Sequence, residues 1–75
     1  MKYSIWMIFE RLDGRKYTKR QVFNYKTVQE AEEKGKQLIK YHNAGTDKKT
    51  CYGFQIIAET YNHYMTLVKT VKEAQ

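Results

Sequence analysis

TVQEAEEKGKQLIKYHN, residues 27–43, is the stretch on which the fold turns. Thr27 followed three positions later by Glu30 is a capping box. In it a hydroxyl and a carboxylate each satisfy a backbone N–H that a helix start leaves without a partner. Beyond it Val28, Ala31, Gly35, Leu38, Ile39 and His42 recur with a 3.6-residue period, while Gln29, Glu32, Glu33, Lys36, Gln37 and Lys40 line the other side. This pattern predicts one amphipathic helix over 28–43. Acidic residues crowd its first turns and Lys34, Lys36 and Lys40 follow, in keeping with the helix dipole, and Asn43 with Gly45 supplies the stop. Gly35 within the apolar stripe costs up to about 1 kcal/mol relative to Ala, so its use is close approach of the helix to a sheet.

Upstream, YSIWMIFERL (residues 3–12) is rich in aromatic and β-branched side chains and ends at Asp13-Gly14, a pair suited to a two-residue type I′ turn. That turn predicts strands over about 3–12 and 15–25, with Leu12 facing Arg15, Ile8 facing Lys19, Phe9 facing Thr18 and Ile5 facing Val22. One face then carries Tyr3, Ile5, Met7, Phe9 and Val22, assigned to the core. The other carries Trp6, Ile8, Leu12, Tyr17 and Phe23 interleaved with Glu10, Arg15 and Lys19. Downstream of a polar stretch, TDKKTC (residues 46–51), a second hairpin is predicted over about 52–61 and 64–71, turning at Asn62-His63. Its core face is Phe54, Ile56, Ala58, Met65, Leu67 and Val71; its outer face is Ile57, Glu59, Tyr61, Tyr64, Thr66 and Val68. The last residues, 72–75, are expected to fray.

Hairpin, helix and hairpin make an α+β single small domain over residues 1–75, ββαββ, in which one amphipathic helix covers one face of a four-stranded sheet. This element order resembles the β-grasp arrangement. The resemblance implies a first and a fourth strand parallel at the sheet centre, with strands two and three on the edges. The junction FNYKTVQEAEEKGKQL (residues 23–38) is similar to the strand-to-helix junction of the AP2-like arm-binding domains of phage and transposon integrases. Those domains place three strands before the helix, where this chain has two.

Composition narrows the function classes. The chain has 75 residues, a net charge of +6, one Cys and eleven aromatic residues. A domain of this size buries only about 60% of its unfolded surface, which leaves little room for a cofactor cavity. Cys51 has no intramolecular disulfide partner, and no run approaches the roughly 18 apolar residues of a membrane span, so a cytoplasmic location is expected. His42 and His63 share no ligand or triad spacing with Cys51, and the glycines are too scattered for a phosphate loop. The reading is therefore of a non-enzymatic protein with no catalytic residues, no metal and no cofactor.

Charge is unevenly spread. Residues 11–27 hold Arg11, Arg15, Lys16, Lys19, Arg20 and Lys26 against Asp13, and so carry most of the net charge. Cations on a two-stranded ribbon neutralise phosphates, and aromatic neighbours stack on bases. Arg11, Arg15, Lys16, Lys19 and Arg20 with Trp6 and Tyr17 are thus the candidate nucleic-acid-binding residues. Lysines and arginines on such a strand also blunt an exposed edge against aggregation, with no ligand implied. The alternative partner is a protein, acidic or itself nucleic-acid-binding, or a second copy of this chain. It would be met through the apolar outer face of the second hairpin, Ile57, Tyr61, Tyr64 and Val68. An inhibitor module of phage or mobile-element origin fits that alternative.

Overall fold

The computed structural model describes residues 1–45 and 47–73. Strands β1 (Lys2–Glu10) and β2 (Lys16–Tyr25) precede helix α1 (Val28–Asn43), and strands β3 (Cys51–Glu59) and β4 (Met65–Lys72) follow it. The four strands form one antiparallel sheet in the order β2-β1-β3-β4, and α1 packs on one face of it, chiefly over β3 and β1. The ββαββ order and the helix bounds are as expected. The arrangement implied by the β-grasp resemblance is not. The central pair is β1 and β3, antiparallel, with β2 and β4 on the edges. Burial explains the choice. Strands β1 and β3 supply the buried Ile5, Met7, Phe9, Cys51, Phe54, Ile56 and Ala58, whereas β4 contributes only the half-buried Val71.

The helix start shows the Thr27 half of the expected capping box, and the apolar stripe faces the sheet. Glu30 N donates to Thr27 Oγ1 at 3.1 Å, closing the N-cap, and Ala31, Gly35 and Ile39 are buried in the stripe, with Val28 and Leu38 packed at its margin. Gly35 lies against the ring of fully buried Phe54. Asn43 does more than end the helix. Its Oδ1 accepts from Thr50 N and Cys51 N, each at 2.9 Å, and its Nδ2 donates to Cys51 O at 2.9 Å, so one side chain ties the helix C-terminus to the start of β3.

Both hairpins turn differently from expectation. In the first, Gly14 N donates to Arg11 O at 2.9 Å and Arg11 N to Arg15 O at 2.7 Å, with Gly14 at φ +88. This is a three-residue loop, 12–14, with Gly14 in the left-handed position of a bulge that follows the turn. The second repeats the pattern. His63 N donates to Thr60 O and Thr60 N to Tyr64 O, both at 3.0 Å, and His63 has φ 62. Each loop is one residue longer than predicted, so pairing shifts by one. Phe9 faces Tyr17, Met7 faces Lys19 and Trp6 faces Arg20 in the first hairpin; Glu59 faces Met65 and Ile57 faces Leu67 in the second.

A one-residue shift moves side chains to the opposite face. Met65 and Leu67 accordingly leave the core and stand on the uncovered face, 48% and 54% exposed. Val22 also leaves it. Between Ser4 and Trp6 the first ladder has one β1 residue against three of β2, and this bulge turns Val22 and Phe23 outward, 89% and 71% exposed. A further bulge at Val68 restores the expected pairing of Ile56 with Lys69 and returns Val71 to the core. At the chain end, Lys72 closes β4 rather than fraying, and Glu73 N donates to Tyr52 O at 2.8 Å; Ala74 and Gln75 lie outside the described residues, as does Thr46 of the polar stretch.

Candidate nucleic-acid interface

With α1 on one face, the opposite face of the sheet is left uncovered, and strand alternation decides what stands on it. From β2 these are Lys16, Thr18 and Arg20; from β1, Trp6, Ile8 and Glu10; from β3, Gln55, Ile57 and Glu59; from β4, Met65, Leu67 and Thr70. Tyr52 joins them because β3 bulges between Gly53, which faces Ile8, and Cys51, which faces Phe9. Gly53 makes the close pairing with β4 possible, since a Cβ there would lie 2.1 Å from Val71 O and 2.9 Å from Lys72 Cα.

Two aromatic rings on this face are each accompanied by a cation. The Arg20 guanidinium lies 5.9 Å from the Trp6 ring centroid and the Lys16 ammonium 5.7 Å from that of Tyr52. Both distances are within cation–π range. Trp6 is fixed from below: its Nε1 donates to Ser4 Oγ at 3.1 Å, and Ser4 Oγ, buried, donates to Ile57 O at 3.3 Å. Arg20 is aimed by Glu59, at 3.4 Å, and by Asn24 Oδ1, also at 3.4 Å. Glu59 is held below the ordinary carboxylate range chiefly by its hydrogen bond with His63; burial opposes this, and the charges of Arg20, His63 and Lys2 add to the lowering. Beside the Lys16–Tyr52 pair an open cleft of about 480 Å3 is lined by Ile8, Lys16, Thr18, Tyr52, Gln55, Thr70, Lys72 and Glu73.

The sheet divides the residues singled out from sequence. Trp6, Lys16 and Arg20 share the uncovered face. Tyr17 and Lys19 stand on the helix side, opposite Phe9 and Met7, and Tyr17 stacks on Phe9 with centroids 5.3 Å apart. Arg11 lies over Tyr17 at 5.1 Å, and Arg15 sits at the loop, 3.5 Å from Asp13. The expected common face of Trp6, Tyr17 and Lys19 is therefore not formed. The second set also separates. Ile57 is on the uncovered face beside Leu67, Val68 is the extra residue of the β4 bulge, Tyr61 projects from the loop at 97% exposure, and Tyr64 closes that loop opposite Thr60.

Sequence reading missed Tyr52, Thr18, Lys48 and Lys49. Strict alternation from buried Phe54 assigns Tyr52 to the core side; only the bulge reverses it. Lys48 and Lys49 reach the β1–β2 loop because Asn43 anchors the residues that follow them. Cys51, by contrast, is a packing residue: it is fully buried, and burial pushes its thiol up from the ordinary value, away from nucleophilic chemistry. Among the described residues no helix is long and apolar enough to cross a membrane. Comparison with known proteins returns no matching family model, no similar curated protein and no similar solved structure.

Proposed function

We propose that the protein binds single-stranded nucleic acid on the uncovered face of its sheet, without catalysis. The observation that carries this reading is the pair of ring–cation sites, Trp6 with Arg20 and Tyr52 with Lys16, on one face. Aromatic rings supply stacking for unpaired bases at about 1–3 kcal/mol each, and adjacent cations track the backbone, a combination that needs no sequence-specific contact. Thr18, Gln55 and Thr70 in the cleft beside the Lys16–Tyr52 pair offer hydrogen bonds to sugar or base edges. The net charge of +6 favours any polyanion and steers it by long-range attraction.

A protein partner is the competing reading. It is favoured by Ile57, Met65 and Leu67, an apolar strip on the same face beyond Trp6.

One titration separates the two. Trp6 is the single Trp, so its emission reports directly on that face. Adding unlabelled deoxythymidine 12-mer should quench it in a saturable manner, and the logarithm of affinity should fall with the logarithm of salt by about 0.7 for each phosphate neutralised. Arg20→Glu with Lys16→Glu should abolish binding while leaving the thermal transition in place. Affinity weaker than about 100 micromolar at 50 mM salt, or unaltered Trp6 emission at saturation, would exclude this face as the binding site and leave the protein partner as the better reading.

A further inference from the structure

We infer that the nucleic-acid strand does not end on the sheet but continues past the end of β1 and the start of β3 into the cleft between the β1–β2 loop and residues 47–50, where Arg11, Lys48 and Lys49 hold its phosphates. This rests on the single-strand reading above and extends its footprint.

The cleft, about 550 Å3 and open, is lined by Glu10, Arg11, Leu12, Lys48, Lys49, Thr50 and Tyr52. Two basic segments almost forty positions apart in sequence meet there. Tyr52 lines both this cleft and the one on the sheet face, so a strand stacked on it has a continuous path from one to the other. The far wall is held in place. Asn43 fixes Thr50 and Cys51 through three hydrogen bonds of 2.9 Å, and Glu10 N donates to Thr50 O at 2.8 Å. Lys48 and Lys49 are therefore presented from an anchored stretch.

Charge sets the route within the cleft. Glu10 stands on its β1 wall opposite Lys16, so a phosphate is repelled from that side and drawn toward Arg11, Lys48 and Lys49. Lys49 lies 3.3 Å from Glu73, an exposed ion pair that a phosphate can displace at little cost. Length follows from strand geometry. Gln55, which faces Trp6, is three residues from Tyr52, about 10 Å along β3, so the sheet alone serves only a very short oligonucleotide. The cleft adds further phosphates and brings the footprint to about four to six nucleotides, the low end of single-strand sites.

The test compares fluorescein-labelled deoxythymidine trimer and 12-mer by anisotropy, using the parent chain, Lys48→Gln/Lys49→Gln, and a charge-matched control, Lys34→Gln/Lys40→Gln, on the helix. Thermal unfolding of each variant checks that the fold is kept. For the 12-mer, losing two phosphate contacts should flatten the salt slope by about 1.4 in Lys48→Gln/Lys49→Gln. The control should keep the parental slope, and the trimer should not distinguish Lys48→Gln/Lys49→Gln from the parent. If the parent binds the 12-mer and quenches Trp6 but the Lys48→Gln/Lys49→Gln slope equals the parental one, the extension into the cleft is wrong while the sheet-face reading stands. Equal flattening in the control would reduce the effect to net charge and overturn the cleft. A parent that binds neither oligonucleotide overturns both.

Discussion

Replacing Gly35 with Ala should destabilise this protein, although helix propensity alone argues the reverse. In an exposed helix interior the change gains about 1 kcal/mol, because Ala loses less backbone freedom on folding. Here the added Cβ would stand 2.5, 2.5 and 2.6 Å from Cε2, Cζ and Cε1 of Phe54. Carbon atoms in contact settle near 3.5–4.0 Å, so ring and helix must separate by about 1 Å. The ring cannot yield freely: Phe54 is fully buried, with Met7 and Val71 as its cross-strand neighbours. Lifting α1 instead opens gaps over Ala31 and Ile39, and a gap of that size forfeits a quarter to a half of each dispersion contact. Overpacking of this kind costs about 1–3 kcal/mol, the lost contacts add to it, and the helix gain offsets about 1, leaving a net loss of about 1–2 kcal/mol. With a urea m-value of about 1 kcal/mol/M for a chain this short, the midpoint should fall by about 1–2 M. Phe54→Leu in the Gly35→Ala background tests the cause, because a smaller side chain relieves the overlap and the two substitutions should couple by about 1 kcal/mol. A midpoint that rises, or two effects that merely add, would refute the argument that the ring requires glycine at 35.

Two further outcomes follow from side chains whose partners are defined. Asn43→Ala strips the acceptor from Thr50 N and Cys51 N and the donor from Cys51 O; leaving part-buried backbone groups unpaired costs about 1–3 kcal/mol, and amide exchange should rise first at Thr50 and Cys51. Unchanged protection there would sink the anchoring role. Acid should weaken the fold through Glu32 and Glu59. The first is held below the ordinary carboxylate value chiefly by its hydrogen bond from Lys69, the second chiefly by that with His63. A carboxylate whose folded pKa is depressed contributes stability above its unfolded pKa, near 4.5, and loses it as pH falls through the folded value. Lys69→Met should therefore flatten the loss of stability below about pH 4.5, and an unaltered pH profile would contradict the assignment.

The helix was legible because its determinants are local: a cap three residues wide, a 3.6-residue stripe and hydrogen bonds closed within the segment. The existence of both hairpins was legible for a similar reason, alternation on either side of turn residues. Their registers were not. Asp13-Gly14 serves a two-residue turn and a three-residue loop ending in a left-handed glycine equally well, and the choice between them reverses the faces of β2. At the second hairpin no glycine marks the left-handed position, and His63 occupies it at φ 62. Of the candidate site, Trp6, Lys16 and Arg20 were recoverable from charge and aromatic content. Tyr52 depends on a bulge set by pairing with β1, and Lys48 and Lys49 depend on an anchor from Asn43. Both are contacts between segments, which periodicity within a segment does not register.

The two three-residue loops shape the uncovered face as well as the register. By adding one residue each, they place Lys16, Thr18 and Arg20 across from Glu10, Ile8 and Trp6, and bring Met65 and Leu67 beside Ile57 on the same surface. Had that shift continued along β4, Thr70 would face Phe54 and Val71 would turn away from the helix. The bulge at Val68 prevents this, at the expense of a disturbed ladder, and so β4 serves the uncovered face near its loop and the core near its end. The cost of the bulge is offset by Val71 in the core, while the loop fixes two apolar residues where solvent would otherwise favour polar ones. That combination makes the apolar and cationic character of the uncovered face a property set by the loops and the bulge, and it is the physical ground for testing the proposed binding on that face rather than on the helix.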